Sequence, residues 1–121
     1  MLTVKQAAEK VGISEHTLRY YTDQGLIPGV ERNKNNNRLF SEESLGYLRL
    51  VVCLRGCGMP VEDIKRFVIL SLEGDDSLAD RYEILLEQEK RATAQLREAE
   101  ERLTMLRRKL GHYRERIEGR K

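Results

Sequence analysis

TLRYYTDQGLIP, running from Thr17 to Pro28, decides how the rest of the chain is read. At helical spacing, Leu18, Tyr21 and Thr22 fall on one face, while Arg19 and Tyr20 fall on the other. The chain has only five Tyr and two Phe, so two adjacent tyrosines concentrate a scarce residue type at one spot. Gly25 then ends the helix, as a glycine that can turn left-handed does. An outward arginine beside an outward phenol suits a phosphate or a base edge. The alternative is an ordinary surface turn carrying a stray tyrosine.

The flanks argue for the first reading. Upstream, Thr3 and Gln6 form the pattern of a capping box, and Val4, Ala7, Ala8 and Val11 repeat at helical spacing until Gly12. Ser14 caps the second helix. Two short helices joined by a tight Gly-Ile-Ser turn make a helix-turn-helix. Downstream of Pro28, VERNKNNNRLF has no helical period, and its asparagines suit a tight turn between two short extended pieces. This predicts a two-stranded ribbon carrying Arg32, Lys34 and Arg38. Ser41, with Glu42 and Glu43 in the first turn, opens a third helix through about Gly56, and Gly58 stops it. Pro60 starts a fourth, with Val61, Ile64, Phe67 and Val68 facing inward.

The segment Glu73 to Asp76 is the one linker-like stretch, and Ser77 with Asp80 begins a long last helix. Its inward positions Tyr82, Leu85, Glu89, Ala92, Leu96, Ala99, Leu103, Leu106, Leu110, Tyr113 and Ile117 alternate spacings of 3 and 4. That is a coiled-coil seam, which a lone helix cannot bury. The simplest partner is the same helix of a second copy, through Leu96, Leu103, Leu106 and Leu110. A solvated single helix would leave those four leucines wet. The expected organisation is a DNA-binding head over residues 1–72, a linker at 73–76 and a dimerisation coil at 77–118.

Bulk composition bounds the function. At 121 residues the chain holds one small domain plus an appendage, and 35% charged residues favour helices with large solvated faces. The net charge of +2 is too small to argue for nucleic acid alone, but it is unevenly placed. Residues 41–80 carry four Lys/Arg against eight Asp/Glu, and residues 81–121 carry twelve against eight. No apolar run reaches membrane-spanning length and no signal-peptide core opens the chain, so a cytoplasmic protein without a membrane partner is expected. Cys53 and Cys57 stand four apart on a helix, where Cβ atoms about 5–6 Å apart pair poorly, so both are read as thiols. Two thiols fall short of a tight metal site, and His16 and His112 lie far off in the sequence, so no metal or other cofactor is expected. No nucleophile–base pair and no phosphate loop is visible, which argues against an enzyme.

A helix-turn-helix, a basic ribbon and a dimerising helix together make a DNA-reading assembly. LRYY followed by GLIP, the ribbon end RLF and the downstream CGMPVEDI resemble the MerR family of bacterial transcription regulators over the whole chain. The resemblance implies a mainly α fold: a winged helix-turn-helix, two linking helices and an antiparallel dimerisation coiled coil. It carries DNA contact to Ser14, Thr17, Arg19 and Tyr20 in the recognition helix and to Arg32, Lys34 and Arg38 in the wing. Phe40 stands where the family places a tyrosine, which removes a hydroxyl. The resemblance further implies a homodimer that distorts an over-long promoter spacer so that RNA polymerase can read both elements. Family members often add a C-terminal ligand domain, and a chain ending at Lys121 is expected to have none.

VVCLRGCGM and EGDDSLADR resemble the thiol-based branch of the family, which answers reactive aldehydes or nitrogen species and so belongs to stress responses. The match assigns the sensor to Cys53, with Cys57 an extra or resolving thiol. Arg49, one turn earlier, favours a thiolate there, whereas the helix C-terminus opposes one. A buried structural cysteine is the competing assignment. Two further readings stay open: the same regulator without thiol sensing, and a coiled-coil interaction protein that does not bind DNA.

Overall fold

The computed structural model describes residues 1–120 and is mainly helical. Its elements run β1 (Leu2–Thr3), α1 (Val4–Val11), α2 (Glu15–Asp23), β2 (Glu31–Arg32), β3 (Arg38–Phe40), α3 (Glu42–Gly56), α4 (Val61–Leu72), a 3₁₀ turn (Gly74–Ser77) and α5 (Leu78–Glu118). The helix starts follow from local hydrogen bonding. Thr3 and Gln6 cap α1 reciprocally, the Gln6 amide donating to Thr3 Oγ1 at 3.2 Å and the Thr3 amide to Gln6 Oε1 at 3.0 Å. Ser14 accepts from the Thr17 amide at 3.0 Å, and Ser41 with Ser44 repeats the reciprocal arrangement on α3.

Gly12, at φ +83°, ends α1 by donating to the Ala8 carbonyl at 2.8 Å, a left-handed position that a β-carbon would strain. Gly25, at φ +72°, does the same after α2.

The ribbon has one more strand than the two expected. β3 is central, with β1 antiparallel on one side and β2 antiparallel on the other. Leu2 stands opposite Phe40 and Arg32 opposite Arg38. A two-residue strand at the chain start has no periodicity to announce it. It forms because Phe40 is fully buried and Leu2 packs against the same core.

That core belongs to the compact unit Met1–Leu85. It joins Ala7 and Ala8 of α1, Leu18 and Tyr21 of α2, Leu45, Leu48 and Val51 of α3, and Ile64, Phe67 and Val68 of α4. Ile84 closes it. The stretch read as a linker is ordered: Ser77 is buried and its hydroxyl donates to the carbonyls of Leu70 and Gly74, while Arg81 Nη2 donates to the Gly74 carbonyl at 2.8 Å. The second compact unit begins at Leu86 and holds the remainder of α5, through Glu118. Its seam leucines Leu96, Leu103, Leu106 and Leu110 are all exposed, as are Tyr113 and Ile117. No helix among the described residues is long and apolar enough to cross a membrane.

Candidate nucleic-acid interface

The two tyrosines of α2 divide as their spacing implies. Tyr21 is buried in the core, and Tyr20 is 45% exposed with its ring tilted 56° to that of Tyr21. Arg19 is exposed beside Tyr20 and pairs with Glu15 one turn back at 3.6 Å, a solvated contact of small energetic weight. The hydroxyls of Ser14 and Thr17 are committed to each other: Ser14 Oγ donates to Thr17 Oγ1 at 2.8 Å while accepting from the Thr17 amide. They fix the start of α2, and Arg19 and Tyr20, with His16, are long side chains that it leaves exposed.

The wing turn is built by asparagine. Asn33 Oδ1 accepts from the amides of Asn35 and Asn37 at 2.9 and 3.0 Å, and Asn36 takes φ +62°. Lys34 is exposed in that turn. At its base, Arg32 and Arg38 stand opposite one another across the β2–β3 ladder, where like charges repel. Each guanidinium has a partner of its own. Arg32 Nη1 donates to the Asn36 carbonyl at 2.9 Å, and Arg38 Nη2 pairs with Asp23 at the end of α2. Arg38 is thereby only 17% exposed and ties the wing to the recognition helix.

Arg19, Arg32 and Arg38 converge on one cleft of about 260 Å³, together with Lys5, Glu15 and wing asparagines. The sequence reading missed Lys5 and Asp23. No local pattern could reveal either, because each meets the wing only through folding. Cys53 lies elsewhere in the chain, near the end of α3, and is exposed rather than packed in the core; Cys57 caps that helix and is also exposed. Among the described residues no group of three or more His, Cys, Asp or Glu is placed to hold a metal ion.

Residues 2–68 match the family model of the MerR HTH family regulatory proteins. The chain belongs to the MerR family. An uncharacterized HTH-type transcriptional regulator of Haemophilus influenzae is 40% identical over 111 residues, spanning 92% of this chain and 82% of that protein. The regulator AdhR of Bacillus subtilis is 32% identical over 90 residues, spanning 74% of this chain and 64% of AdhR. Among solved structures, HiNmlR, a MerR family regulator lacking the sensor domain and bound to promoter DNA, is 40% identical. It superposes with a TM-score of 0.72 over 93% of this chain and 90% of its own. A MerR family regulator from Bacillus thuringiensis gives 0.72 at 34% identity, over 91% and 96% of the two chains. MerR family membership makes this chain a DNA-binding transcriptional regulator and not an enzyme.

Proposed function

We propose that the chain works as a two-fold homodimer in the cytoplasm, with a head over residues 1–72, a junction at 73–76 and a coil at 77–118. The α2 face reads a promoter half-site while the wing grips the backbone, and bound DNA is distorted so that RNA polymerase can engage it. The observation that carries this reading is the meeting of recognition helix and wing cations at one exposed cleft. Arg19 and Tyr20 are assigned to base edges. Arg32 and Lys34 are assigned to phosphates, Arg38 holds the wing in place, and Ser14 and Thr17 fix the first turn of α2.

The exposed seam of α5 supports the dimer, and its charge supports an antiparallel one. Residues 82–101 carry six Glu against three Lys/Arg, whereas residues 102–120 carry two Glu against seven Lys/Arg. Antiparallel pairing sets the acidic half against the basic half, and parallel pairing would stack like on like.

Cys53 is assigned as a sensor of electrophiles such as aldehydes. Its exposure near the end of α3, one turn after Arg49, supports access by a small reagent. Because the thiol is exposed, an adduct acts by altering a contact with DNA or with the second copy rather than by overfilling this chain's core.

A gel shift on the DNA upstream of the protein's own gene, with random DNA as competitor, tests the reading. Retardation only at concentrations that also shift random DNA would leave the coiled-coil interaction protein as the better account.

A further inference from the structure

Lys5 lies in the first turn of α1 and lines the same cleft as Arg19, Arg32 and Arg38. Four cations therefore face one lining carboxylate, Glu15. Three of the cations are already engaged: Arg19 with Glu15, Arg32 with the Asn36 carbonyl, Arg38 with Asp23. Lys5 is exposed and makes no hydrogen bond or ion pair among the described residues. The guanidinium of Arg32 keeps further N–H donors beyond the one given to Asn36. A cleft of about 260 Å³ with surplus positive charge and unspent donors fits a compact anion.

We propose that this cleft seats one phosphodiester of the DNA backbone, with Lys5 and Arg32 as its two principal donors. The inference rests on the DNA-binding reading above and adds a contact from α1 to it. The seated phosphate joins the first turn of α1 to the base of the wing, so that the backbone fixes how the wing approaches the groove. Lys5 contributes a point charge and therefore positions without selecting sequence.

The test uses the full-length chain and titrates Lys5→Gln, Lys5→Arg and wild type onto promoter and random DNA across a salt series. Lys5→Gln is expected to weaken both DNAs alike, about 3- to 10-fold, and to lower the salt slope by about 1, with Lys5→Arg restoring both. Single methylphosphonate substitutions along the promoter should then reveal one symmetry-related phosphate position where wild type and Lys5→Gln bind equally. Equal affinity and equal slope for wild type and Lys5→Gln would overturn the proposal while leaving DNA binding intact. Failure of the wild type to bind DNA would remove both readings. A third arm adds inorganic phosphate at constant ionic strength. If it abolishes the difference between wild type and Lys5→Gln while no methylphosphonate position does, the cleft holds a free anion and the backbone assignment is wrong.

Discussion

Arg38 of the wing and Asp23 at the end of the recognition helix form an ion pair between two segments that no local pattern connects. The carboxylate sits on the face assigned to DNA, where simple electrostatics says it should repel the ligand. Its pairing with Arg38 makes it part of the support for the wing instead.

The first prediction follows from that pair. Removing an acid from a DNA-facing surface should tighten binding if Asp23 acts only through its charge. Asp23→Asn is expected to weaken binding, by about 1 kcal/mol, because the wing loses its anchor. Arg38→Ala should add little to Asp23→Asn when the two are combined. Fluorescence anisotropy on promoter DNA for the four proteins of the cycle gives the answer, and additive losses would dissolve the link.

Arg19 and Lys34 should separate by type of loss. Arg19→Ala is expected to cost about 1–3 kcal/mol on the promoter and much less on random DNA, as loss of a base contact does. Lys34→Ala should weaken both DNAs alike and flatten the salt dependence. If Arg19→Ala reduces both DNAs equally, Arg19 is a backbone contact.

The coil makes a prediction about assembly. Each seam leucine buried by a partner contributes about 1.5–3 kcal/mol, so Leu103→Asp with Leu106→Asp should yield monomers that lose tight promoter binding. Sedimentation equilibrium reads the mass directly, and a persisting dimer would place the interface elsewhere.

Phe40 tests the head. Its ring is fully buried and its strand pairs with both neighbours in the sheet. Phe40→Ala should destabilise the unit by about 3–5 kcal/mol in urea unfolding. Phe40→Tyr, which restores the hydroxyl that the family resemblance places there, must bring a polar group into an enclosed site. It is expected to lower stability by about 1–3 kcal/mol unless the hydroxyl finds a partner. A variant as stable as wild type would mean that the hydroxyl reaches one.

Cys53 gives the last prediction. Because the thiol is exposed, Cys53→Ser should leave the unfolding free energy of the protein unchanged within about 0.5 kcal/mol. It should bind the promoter normally and fail to respond to aldehyde in a transcription assay, while Cys57→Ser retains most of the response. Normal induction of Cys53→Ser would refute thiol sensing and leave DNA binding standing.

Much of this protein was readable from its sequence because the information is local. Caps at Thr3, Ser14 and Ser41, stops at Gly12 and Gly25, the division of Tyr20 from Tyr21, and the long helix α5 all depend on neighbours within about one helical turn. Periodicity reports which face is buried, and cap chemistry reports where helices begin. What depended on tertiary structure involves residues far apart in sequence. The third strand at Leu2–Thr3 exists because Phe40 and Leu2 share a core. Arg38 became a brace instead of an open donor because folding brought Asp23 to it. Lys5 joined the wing cations because α1 packs beside the sheet. Cys53 proved exposed, where its apolar neighbours in sequence leave a buried structural thiol as the competing assignment. Charge and burial of a side chain are set by the sum of its neighbours in space, and that sum is fixed only when the segments meet.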